Sequence, residues 1–293
     1  MKFHEFGGPN VPVILLLPGT CCHWRANFGA VIPLLEKDFR VVCVSYDGFD
    51  ETEQTVFPDM LTETAKIEEY IQTNYDGHIC AAYGCSLGGS FVGLLVQRGN
   101  VHIDHAILGS SDLDQDSGLS AKFKAWLIGK VLYRMFQKGK LPGFMQKRLE
   151  KKSKDEIAYY EKMMDMFGMN NTRMAFVRWE SIRNQFYSDL VTPIENDISV
   201  PGTTIHCFYA VKMGEEYVEM LFVNFGDLIG LDGFMRGIVK KRGMMIPGTE
   251  HCAAWNLKPW MLTLALPEHC IGWPIIVCPM TGLICAGIGA LIR

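Results

Sequence analysis

A length of 293 residues with 48% hydrophobic and 20% charged side chains suits one sizeable globular domain with an insertion and excludes a disordered chain. A formal net charge of −4, without a basic stripe interleaved with aromatics, gives no footing for nucleic-acid binding. Residues 1–8 lack the apolar core of a secretory signal, so a cytoplasmic protein is expected, and ten cysteines with no C-x-x-C pair or close His/Cys cluster at zinc spacing point to reduced thiols rather than disulfides or a zinc site.

The first apolar run, Val13-Ile14-Leu15-Leu16-Leu17, predicts a buried strand that ends in Pro18-Gly19-Thr20, with Trp24 shortly after. Such a turn suits an oxyanion hole. Acyl transfer places negative charge on the carbonyl oxygen, and one fixed donor aimed at it is worth about 3 kcal/mol. The backbone N–H of Thr20 is assigned this role. A strand over 40–46, a helix over about 57–74 and a strand over 78–83 follow.

That last strand runs into Gly84-Cys85-Ser86-Leu87-Gly88, with Gly89 and an apolar helix to about residue 98 behind it. Strand, sharp turn and helix are the context of a nucleophile elbow, in which small flanking residues let the chain adopt a strained turn that lifts the central hydroxyl above the sheet. Ser86 is the candidate nucleophile and Leu87 the second oxyanion donor. Cys85 is the weaker choice, because only the serine is centred between glycines.

After a strand over 103–109, the strand pattern stops between residues 113 and 200. Residues 121–136 and 157–187 read as amphipathic helices, and the segment as a lid over the site. Trp126, Tyr133 and Phe136 are candidates for its substrate-facing surface, with ordinary core packing as the alternative. The run Lys138, Lys140, Lys147, Arg148, Lys151, Lys152 and Lys154 is a solvated face or a contact for anionic lipid or an acidic substrate.

A strand over 203–210 leads to Glu215 and Glu216 at the head of a helix over 215–225; a strand over 243–247 leads to His251, with a helix to about 264. A histidine that takes the serine proton needs an acid to fix its tautomer and stabilise the imidazolium. His251 is the candidate base and Glu215 the acid, with Glu216 and Asp112 as alternatives.

The order Ser86, Glu215, His251, together with the elbow and the Pro18-Gly19 turn, resembles the α/β-hydrolase superfamily, in particular its lipase- and esterase-like members with a helical lid. The resemblance implies an α/β fold whose mainly parallel sheet is flanked by helices. The core would comprise 1–112 and 201–266, the lid 113–200 and an apolar tail 267–293. It further implies a serine hydrolase acting on carboxylic esters or related acyl bonds, carboxylesterase- or lysophospholipase-like, that needs a small-molecule acyl substrate and neither cofactor nor metal. An acyltransferase or thioesterase on the same triad, and a non-catalytic binding protein on the same fold, are the alternatives. Two departures stand out: Pro18-Gly19 where many relatives have His-Gly, and Glu215, Glu216 or Tyr217 where many have Asp. Residues 270–292 hold no Asp, Glu, Lys or Arg, and Pro274 and Pro279 interrupt them; a membrane anchor, a packed extension and a displaced reading frame all suit that composition. The oligomeric state stays open.

Overall fold

Apolar runs with no polar face bury themselves on both sides, which a parallel sheet covered by helices allows. In the computed structural model, which describes residues 1–109, 111, 118–151, 157, 164, 172–195, 198 and 200–208, such runs and one further strand at the edge form a six-stranded sheet. Its strands are β1 (Lys2–Phe6), β2 (Val13–Leu17), β3 (Arg40–Ser45), β4 (His78–Cys85), β5 (His102–Gly109) and β6 (Thr204–Phe208), in the order β1-β3-β2-β4-β5-β6. Only β1 runs antiparallel to its neighbour. From β2 the chain moves to β3 on one side and then to β4 on the other, so the carboxyl ends of β2 and β4 flank a topological switch point, where ligands bind in such sheets.

The helices are α1 (Trp24–Phe28), α2 (Ile32–Leu35), α3 (Met60–Tyr75), α4 (Leu87–Arg98), α5 (Gly118–Lys138), α6 (Gly143–Leu149) and α7 (Trp179–Val191). Asp59 starts α3 by accepting from the Thr62 N–H at 2.8 Å, and Asp76, at φ 51°, ends it. Every residue of α4 from Leu87 to Val96 is buried, against β4 and β5. Arg98, at the end of α4, grips the buried Glu68 of α3 through two hydrogen bonds of 2.7 and 2.9 Å. Among the described residues, no helix is long and apolar enough to cross a membrane.

The helix expected over 157–187 is interrupted: residues 173–176 form turns, and Arg178 is extended before α7 begins. Met174 and Val177 are buried there, so the turns carry apolar side chains into the core. Strand β1 was not foreseen, because Lys2-Phe3-His4-Glu5-Phe6 holds two apolar residues three apart, neither an apolar run nor an alternation. Asp112, the strand over 243–247, the helices over 215–225 and 251–264, and the tail lie outside the described residues.

Two buried groups oppose each other in their response to pH. Burial, with Asp47 nearby and Lys66 opposing, pushes the Glu63 carboxyl from 4.5 up to about 7. Burial, with His105 at 3.3 Å, pushes the His206 imidazole from 6.5 down to about 4. Between about pH 4.5 and 6.5, folded Glu63 holds a proton that the unfolded chain releases, so its contribution falls as pH rises; folded His206 lacks a proton that the unfolded chain holds, so its contribution grows. Each slope approaches about 1.4 kcal/mol per pH unit, with opposite sign. Relative to wild type, Glu63→Gln is expected to gain stability with rising pH across this window and His206→Phe to lose it, read from urea midpoints at three pH values. Parallel curves for all three proteins would refute the opposition.

Candidate active site

Ser86 sits between β4 and α4 with φ 52° and ψ −119°, a backbone that side-chain-bearing residues rarely adopt. Hydrogen bonds hold it from both sides. Its N–H donates to the Gly109 carbonyl at 2.7 Å, and its carbonyl accepts from the Gly89 N–H at 2.7 Å and the Ser111 hydroxyl at 2.9 Å. The glycines permit close approach. A Cβ on Gly84 would lie 2.0 Å from the Gly88 carbonyl, and one on Gly88 would lie 2.1 Å from the Leu17 oxygen and 3.0 Å from the Pro18 oxygen. The elbow is therefore pressed against the end of β2. Cys85 is the last residue of β4 and is buried.

That end of β2 carries the Pro18–Cys22 turn, in which most N–H groups are already committed. Gly19 donates to Asn27 Oδ1 at 2.9 Å, Cys21 to Gln185 Oε1 at 2.6 Å and Cys22 to the Gly19 carbonyl at 3.1 Å. The N–H groups of Thr20 and Leu87 have no acceptor among the described residues. Tyr46, just past β3, donates its hydroxyl to the Pro18 carbonyl at 3.1 Å and stacks on Phe91 of α4 at 4.8 Å, bracing the turn against the elbow helix. Burial pushes that phenol well above its ordinary range, so it stays a neutral donor. A non-glycine residue in the left-handed region, Cys21 at φ 57°, completes the turn.

The structure thus brings Ser86, Leu87 and Thr20 to the carboxyl edge of β2 and β4. Glu215, Glu216, His251 and Asp112 lie outside the described residues. The three candidate lining residues on α5 do not share one surface. Trp126 is exposed and stacks on Phe123 beneath the Lys130 ammonium, Tyr133 is half-buried, and Phe136 is sealed in the core. Sequence reasoning missed Asn27, Tyr46, Ser111 and Gln185, none of which belongs to a local motif.

At the opposite edge of the sheet, His78 Nε2 lies 2.9 Å and His102 Nε2 3.3 Å from the Asp104 carboxylate. Their ligand atoms fall within 4.8 Å of one another, so this trio could hold a divalent ion. No sequence spacing announces it; the pairing of His78 with His102 across β4 and β5 creates it.

The model of the alpha/beta hydrolase fold matches residues 12–185. Among solved structures, an alpha/beta hydrolase family protein from Desulfitobacterium hafniense superposes with a TM-score of 0.60 at 15% identity, over 75% of this chain and 85% of that one. A thermophilic esterase from Thermogutta terrifontis gives 0.55 at 18% identity, over 76% and 80%. MenH from S. aureus gives 0.53 at 15%, over 82% and 97%. At these identities the likeness is one of fold. No curated protein matches the sequence. The matched span covers more than half of the chain and contains both the Pro18-Gly19 turn and the Ser86 elbow, and the chain belongs to the alpha/beta hydrolase fold family.

Proposed function

We propose that the protein is a serine hydrolase of carboxylic esters or related acyl bonds, carboxylesterase- or lysophospholipase-like, working through a covalent acyl-enzyme. The observation that carries this reading is the Ser86 backbone, at φ 52° and ψ −119° on a strand-to-helix turn and bonded on both sides. Ser86 Oγ attacks the acyl carbonyl while His251 accepts its proton. The tetrahedral oxyanion lies against the N–H groups of Thr20 and Leu87. As the C–O bond to the alcohol breaks, His251 returns the proton to the leaving oxygen. Water then attacks the acyl-serine with His251 as base, releasing the acid and restoring Ser86. Glu215 orients the imidazole, with Glu216 and Asp112 as alternatives. The segment 113–200 acts as a cover at this edge, a role supported by the contact of α7 with the oxyanion turn through Gln185.

A fluorophosphonate probe is expected to label the folded protein on Ser86, with labelling lost in Ser86→Ala and kept in Cys85→Ala, read by intact mass and peptide mapping. Folded protein that resists the probe would be a non-catalytic binder on the same frame.

A further inference from the structure

Gln185, on α7, is fully buried, and its carboxamide is half used. The Oε1 atom accepts the Cys21 N–H at 2.6 Å, which fixes the amide plane and places the Nε2 group beside the oxyanion turn. Among the described residues that Nε2 has no hydrogen-bond partner, and neither has the buried hydroxyl of Thr20, the residue preceding Cys21. Buried polar groups are nearly always paired, and leaving one unpaired costs about 1–3 kcal/mol. One belongs to the residue before Cys21 and the other to the side chain that Cys21 bonds, so both belong to the turn at the end of β2.

We infer that Gln185 Nε2 and Thr20 Oγ1 form a substrate subsite for a second hydrogen-bond acceptor, an ether, hydroxyl or carbonyl oxygen placed a few bonds from the scissile carbonyl. The inference deepens the proposed hydrolase reading and rests on it for the position of the scissile group. It selects acyl groups bearing an oxygen near the carbonyl over simple alkanoyl groups. Gln185 Nε2 can only donate, so the oxygen it meets must accept; Thr20 Oγ1 can do either, so a hydroxyl is accommodated as well as an ether. Gln185 is thereby a specificity-determining residue contributed by the segment between β5 and β6.

The test uses two stable anilides of equal shape, methoxyacetanilide and butyranilide, which differ by an oxygen in place of one methylene. Their binding is measured by calorimetry on the full chain carrying Ser86→Ala, so the readout does not depend on turnover. Methoxyacetanilide is expected to bind about tenfold more tightly than butyranilide. Adding Gln185→Met, which removes both polar atoms, or Gln185→Glu, which keeps an acceptor for the Cys21 N–H but removes the amide donor, is expected to bring the pair to parity. Equal binding of the two anilides before any change at Gln185, or a preference that survives in both variants, overturns the subsite. A wild-type protein that resists the probe while the Ser86→Ala form still discriminates the anilides would sink the catalytic reading and leave the subsite standing.

Discussion

Ser86→Gly is expected to make the protein more stable while abolishing acylation. At φ 52° and ψ −119° the serine holds a conformation that costs on the order of 1–3 kcal/mol for a residue with a side chain and little for glycine. Glycine adds about 0.5–1 kcal/mol of chain entropy to be lost on folding, so a net gain of about 1 kcal/mol in urea unfolding is expected. Ser86→Ala separates the two effects. It keeps the Cβ and hence the strain, so it should match Ser86→Gly in lost activity without the gain in stability. Removal of a nucleophile of this kind costs on the order of 10⁶-fold in kcat in a well-studied serine protease, and a comparable fall in nitrophenyl-ester turnover is expected for both variants. Equal stability of the two would mean that the turn stores no strain.

Gly88→Ala is expected to be among the most damaging single-methyl additions in the described chain. The new Cβ would sit 2.1 Å from the Leu17 oxygen, 2.8 Å from the Leu17 carbonyl carbon and 3.0 Å from the Pro18 oxygen, all of them backbone. Relief requires α4 and the end of β2 to part, and α4 is buried along nearly its whole length. A loss of more than about 4 kcal/mol, or failure to accumulate as folded protein, is the expected outcome. Gly89→Ala provides the contrast. Its Cβ would meet the Ser111 hydroxyl at 1.6 Å, which can rotate away, and the Ser111 Cβ at 2.9 Å, which asks for only a small backbone shift, so a smaller loss of about 1–3 kcal/mol is expected. Thermal unfolding of both variants beside wild type checks the ranking; equal losses would show that the elbow yields as easily as a side chain.

The parts of this molecule that were legible in sequence are those whose signal is local. Val13–Leu17 and the strand before the elbow are uninterrupted apolar runs, and Gly84-Cys85-Ser86-Leu87-Gly88 carries its geometry in its own spacing. What escaped is what the fold brings from afar. Asn27 reaches Gly19 across 8 residues, Tyr46 reaches Pro18 across 28 and Gln185 reaches Cys21 across 164. The helix α7 misleads most, because hydropathy assigns Ser181, Gln185 and Ser188 to a solvated face. The structure buries all three, and each accepts a backbone N–H: Gln185 from Cys21, Ser181 from Phe57 and Ser188 from Met60 at the start of α3. Phe136 was a candidate for the substrate surface, but it lies at a helical position that turns into the core. The proposed base and acid fall outside the described residues.

The docking of α7 also constrains how a bulky ester could come and go. Cys21, Phe57 and Met60 donate backbone N–H groups to Gln185, Ser181 and Ser188, and Asn184 donates to the Phe57 carbonyl. Swinging this helix outward would strip four hydrogen bonds at once, at roughly 1–3 kcal/mol for each group left unmatched. A doorway hinged on α7 would seldom stand ajar. Traffic would have to pass beside that helix, which serves as a fixed doorpost.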